Sequence, residues 1–203
     1  MSLNVPHLTY NQLRATAEAF LKRYHPSRKI PIPIEHIIEF QMGLDIVPLP
    51  GLLEAYDVDG FTSSDLSEIS VDQFVYEHRP SRYRFTLAHE VGHVALHAEL
   101  FKAHRFRGIE AWKRFLMGVP ELDYTRLEWQ AYSFGGLVLV PGDVLQQELK
   151  LAAKQVKAQG LSKETDFAKA LMTDMVATRF GVSSEVIERR LNFDQIRLTT
   201  FWE

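Results

Sequence analysis

Arg84-Phe85-Thr86-Leu87-Ala88-His89-Glu90-Val91-Gly92-His93-Val94-Ala95-Leu96-His97 decides how the rest of this 203-residue chain is read. The five residues from His89 to His93 form an H-E-x-x-H sequence in a stretch that reads as helix over 81–104. Residues four apart share one helical face, so both imidazoles can reach one divalent ion at about 2.0–2.1 Å. Glu90 projects about 100° round the helix, where it can hold and deprotonate a water on that ion. A chain of this composition produces the pattern by accident only about 0.02 times.

On a helical wheel His89, His93 and His97 span about 80°, with Glu90 beside them. The rest of the circumference is apolar: Phe85, Leu87, Ala88, Val91, Val94, Ala95, Leu96, Ala98 and Leu100. A helix apolar almost all round is buried. A buried stripe of imidazoles with a buried carboxylate is costly unless something satisfies it, and a dication does so directly. The alternative, three core histidines plus a paired Glu90, needs several separate partners.

A catalytic zinc takes three protein ligands and leaves a position open. Position 96 is Leu and 99 is Glu, which excludes a third histidine in the metzincin pattern. The remaining source is a carboxylate on a following helix. Glu128 opens the apolar segment Leu127 to Phe134, whereas its rivals Glu121 and Asp123 follow Pro120 in polar, loop-like surroundings. His97 lies about 12 Å along the axis from His89, which suits a supporting or substrate-facing role better than ligation. Tyr83, Tyr124 and Tyr132 are candidates for a donor to a developing oxyanion. His7, His25, His36, His78 and His104 sit in polar contexts and read as ordinary.

Composition narrows the class further. The chain has eight histidines and no cysteine, so disulfides, thiolate metal sites and a cysteine nucleophile are all excluded. A net charge of −3 argues against a dedicated nucleic-acid binder. No apolar window approaches the ~20 residues of a membrane helix, and the N-terminal residues lack a signal-peptide layout. The expectation is a soluble, cytoplasmic protein with no membrane or direct nucleic-acid partner.

Working outward, periodicity predicts a helix over 9–25, capped by Thr9 or Asn11 and ended by Pro26. A shorter helix over 34–42 is closed by Gly43. Three strand candidates follow at 44–48, 58–62 and 68–74, the last as an edge strand. From residue 81 the chain reads as helix: 81–104, 109–117, 124–139, 142–158, 163–179 and 183–191. Two helices, a small antiparallel sheet and a helical half make an α+β fold in one domain, 1–203, with 163–193 as a helical hairpin packed on it. That hairpin also invites a DNA-binding reading. Its second helix offers Glu185 and Glu188 before its arginines, and carboxylates facing phosphates are unfavourable. The fragment 103–123 reads as a connecting helix, with a lid or substrate-recognition insert as the alternative.

The quoted stretch strongly resembles the R-F-T-L-A-H-E-hydrophobic-G-H-x-x-L-H signature of the ImmA/IrrE family of metallopeptidases. Asp59-Gly60-Phe61 and Ile69-Ser70-Val71-Asp72 resemble the short strands before that helix. Glu128 to Pro141 resembles the family's E-x-x-A-N-x-F-A-x-x-L-L-M-P segment, with Tyr132, Gln130, Gly135 and Val140 as departures. Phe180 to Ser183 and Arg189-Arg190-Leu191 resemble its ending, so the likeness spans roughly 30–193. It implies a zincin-like endopeptidase with His89, His93 and Glu128 on Zn²⁺, Mn²⁺ being the alternative ion, and Glu90 as general base. It also implies an edge strand that receives an extended substrate, with a helix-turn-helix repressor or an antitoxin as that substrate and a stress-response or toxin–antitoxin setting. A competing reading keeps the metal but acts on the cognate regulator by binding alone.

Overall fold

A computed structural model describes residues 5–104, 106 and 108–202. Helix α1 (Tyr10–Tyr24) begins with a capping box: Thr9 accepts from the Gln12 amide while the Gln12 side chain accepts from Thr9. Its apolar face, Leu13, Ala17, Phe20 and Leu21, is buried. Helix α2 (Ile34–His36) continues as a wider π turn, Ile37–Met42, and Gly43 stops it at φ +70°.

The sheet has strands β1 (Asp45–Leu49), β2 (Gly60–Thr62) and β3 (Glu68–Asp72) in the order β1-β3-β2. β1 runs parallel to β3 and β2 antiparallel to it. The sheet is therefore mixed rather than antiparallel throughout, and 68–72 is its centre rather than its edge. Two local causes explain the difference. The short helix α3 (Leu52–Tyr56) carries the chain across after β1, which lets β1 and β3 run the same way. And Ser70 and Asp72, the polar residues that share one face of the strand, are both buried. Asp72 serves as a cap instead: one oxygen accepts from Leu53 N at 2.8 Å and the other from Val75 N at 3.0 Å. The second bond starts helix α4 (Gln73–His78), so Phe74 falls in a helix.

Helix α5 (Pro80–His104) carries the quoted stretch, and its backbone leaves helical geometry at His97 (φ −125°, ψ 15°). Arg84 anchors it by donating to Ile32 O at 2.8 Å and to Gly181 O at 3.1 Å. Helix α6 (Gly108–Met117) follows. Helix α7 (Glu121–Leu139) begins three residues before the expected 124, so Glu121 and Asp123 occupy a first helical turn rather than a loop. There they complement the helix dipole, and Asp123 pairs with Arg126 at 3.4 Å.

α5 and α7 cross at very close range. A Cβ on Gly92 would lie 2.9 Å from both the Cα and the carbonyl oxygen of Ala131, and one on Gly135 would lie 3.1 Å from Ala88 C and His89 N. Gly60 is equally tight against α5, 2.9 Å from Thr86. Glycine at these positions lets α7 and β2 both touch the helix that bears His89, Glu90 and His93.

Helices α8 (Gly142–Ala158), α9 (Asp166–Phe180) and α10 (Ser184–Phe193) complete the helical half, α9 turning into α10 at Gly181. Met172, Val176, Phe180, Ile187 and Leu191 share one apolar core with Leu87, Val91, Phe134 and Val138. In α10, Arg190 is buried, donating to Val140 O and pairing with Asp194 at 3.0 Å. Arg189 pairs with Glu185 at 2.7 Å and lies over the ring of Tyr132. A smaller core of Val5, Leu52, Phe61, Phe101, Phe106, Trp112 and Leu127 sits beside α6. Among the described residues no helix is long and apolar enough to cross a membrane.

Candidate active site

Helical spacing puts His89 and His93 on one face of α5, and their Nε2 atoms lie 3.0 Å apart. Glu128, about two turns into α7, reaches the same point. Its carboxylate lies 3.2 Å from His89 Nε2 and 3.6 Å from His93 Nε2. Ala131, which meets Gly92, is three residues beyond Glu128, so the helix crossing and the convergence of these groups are one construction.

Glu90 is buried and takes a different partner: its Oε2 accepts from Thr62 Oγ1 of β2 at 2.8 Å. His89, Glu90 and His93 also offer donor atoms within 4.8 Å of one another. A tetrahedral ion with bonds of about 2.0–2.1 Å spaces its ligands about 3.3 Å apart. The 3.0, 3.2 and 3.6 Å separations among His89, His93 and Glu128 bracket that value. Two imidazoles and a carboxylate, aimed at one point, fit a divalent metal ion.

The charges follow from burial. Desolvation opposes protonation of His89, but Glu128, Glu90 and Asp59 outweigh it and hold its pKa above the ordinary imidazole value. His93 is held well below that value by burial and then by His89 and His97. Burial pushes Glu90 up to about 7, against the lowering pull of His89 and Thr62.

These groups lie in a cleft of about 320 Å³. Asp57, Asp59 and Gly60 line it beside β2, and Phe101, Trp112, Leu116 and Leu127 give it an apolar wall. Trp112 and Leu116 belong to α6, so the fragment read as a connecting helix also walls the cleft. Tyr124 and Tyr132 both line the cleft. Tyr83 does not: its hydroxyl donates to Glu35 at 3.0 Å, which removes it from the oxyanion candidates. None of the five histidines read as ordinary borders the cleft.

His97 stands behind His93, with the two Nδ1 atoms 3.1 Å apart and its own Nε2 2.9 Å from Gln130 Oε1. Thr62, Gln130 and Pro6, whose carbonyl accepts from Gln130, escape a reading along the sequence. Only Gln130 leaves a signal, as an amide inside an otherwise apolar helical segment.

A family model, Peptidase_M78, described as the IrrE N-terminal-like domain, matches residues 41–192. The match spans most of the chain: the chain belongs to this family, and its function is of the metallopeptidase type. No curated protein matches it.

Proposed function

We propose that this member of the family is a zinc-dependent endopeptidase. It acts in the cytoplasm and cuts a specific protein, a helix-turn-helix repressor or antitoxin. The observation that carries the reading is the meeting of His89, His93 and Glu128 within 3.6 Å of one another, with buried Glu90 alongside. His89, His93 and Glu128 would hold the ion, with Glu90 left unligated. Zn²⁺ bound there supplies a Lewis acid and lowers the pKa of water.

Glu90 accepts the proton of the attacking water and returns it to the leaving amine. Thr62 holds one of its oxygens, and Glu90 itself lines the cleft. β2, an outer strand of the sheet among the described residues, would offer backbone groups to an extended peptide, with the apolar wall receiving a side chain. Tyr124 and Tyr132 supply hydroxyls at the cleft for the developing oxyanion. The regulator as substrate is supported by the likeness of the active helix to the ImmA/IrrE signature.

The test is incubation with Zn²⁺ or Mn²⁺ and the helix-turn-helix regulator encoded beside the chain's own gene. A discrete, chelator-sensitive cut is expected. Stable binding without any cut would replace the protease reading with that of a metal-bound sequestering module.

A further inference from the structure

We infer that Gln130 and the backbone carbonyl of Pro6 set the tautomer of His93, acting through His97, so that His93 meets the ion with a bare Nε2. The inference rests on the reading of His93 as a metal ligand, and it follows from the direction of three hydrogen bonds. A proline carbonyl can only accept. Gln130 Nε2, 2.6 Å from Pro6 O, must therefore be the donor there, and its Oε1 is turned to His97.

That oxygen only accepts, so His97 Nε2, 2.9 Å away, carries the hydrogen. A neutral imidazole with its proton on Nε2 accepts through Nδ1. His93 Nδ1, 3.1 Å away, must then donate. His93 is left with its lone pair on Nε2, on the side where His89 and Glu128 lie. Flipping the amide would set two acceptors together at Pro6, and reversing the His97–His93 bond would set a bare His97 Nε2 against Gln130 Oε1. Gln130, His97 and His93 are all buried, which shields the chain of bonds from solvent.

The far end is itself fixed. Val5 is buried in the smaller core, and its carbonyl accepts from Arg126 at 3.2 Å. The segment before α1 therefore takes part in the site although it lies outside the span that matches the family. Gln130 and His97 are positioning residues; neither lines the cleft. Partners of this kind behind a ligating imidazole fix its ring and tautomer.

Long-range ¹H–¹⁵N spectra of the metal-free full chain test this directly. Wild type should carry hydrogen on Nδ1 of His93 and Nε2 of His97. Gln130→Leu should mix the His93 tautomers and weaken Zn²⁺ binding, measured by chelator competition, about 10–100-fold. Gln130→Glu, whose carboxyl burial keeps protonated at this position, retains an acceptor for His97 and a donor to Pro6 O and should preserve both. A purely structural Gln130 would lower the metal-free Tm in the Leu variant without moving the tautomer. Hydrogen on Nε2 of His93 in wild type would overturn the inference, as would a Leu variant with unchanged tautomer and affinity. If the Leu variant does not fold, the wild-type spectrum and Gln130→Glu still decide. Failure to cleave any substrate would count against the protease reading alone, because none of these readouts involves substrate.

Discussion

Glutamine in place of Glu90 should slow peptide hydrolysis by about 10²–10⁴-fold while leaving the metal and the fold in place. The amide matches the carboxylate in shape and can still accept from Thr62 through its oxygen. What it loses is the ability to take a proton from water. Stability should not suffer, since Glu90 is 5% exposed and its charge is already disfavoured by burial. Single-turnover cleavage of the cognate regulator, with metal content measured on the same sample, separates the two effects. A variant that cleaves at the wild-type rate would remove Glu90 from the reaction.

Alanine at Gly92 should damage fold and site together. The new methyl would lie 2.9 Å from the Cα and carbonyl oxygen of Ala131. Those are backbone atoms and cannot escape by changing rotamer, so α5 and α7 must separate. Overpacking of this kind costs about 1–3 kcal/mol. Because Glu128 rides one turn from Ala131, the same separation draws its carboxylate away from His89 and His93 and lowers metal affinity. Gly136→Ala is the control, since its Cβ would meet only Arg190 Cδ at an ordinary 3.6 Å. Replacing glycine inside a helix without a clash gains roughly 0.5–1 kcal/mol. Denaturant titration and metal competition on both variants check the contrast. Equal behaviour would mean that the close crossing does not position Glu128.

The parts of this protein that could be read along the chain are those set by local spacing. His89, Glu90 and His93 announce themselves because four residues make one helical turn, and Glu128 because it heads an apolar helical segment. Gly92 and Gly135 read only as small residues until the second helix is laid across them. The order of the strands was not legible. Ser70 and Asp72 are polar residues on one strand face, yet Asp72 is spent on two helix starts, and a parallel pairing through α3 leaves no mark in strand periodicity. The partners of the site were hidden for the same reason. Thr62 reaches Glu90 across 28 residues, and Pro6 reaches Gln130 across 124.

The central claim is that two imidazoles and Glu128 hold the ion while Glu90 stays free to move a proton. Anomalous scattering at the zinc edge from crystals of the Zn²⁺-loaded chain tests it most directly. One peak is expected, bonded to His89 Nε2, His93 Nε2 and the Glu128 carboxylate at about 2.0–2.2 Å, with Glu90 unbonded and still against Thr62. A peak coordinated by Glu90 in place of Glu128, or no peak on the two histidines, would contradict it.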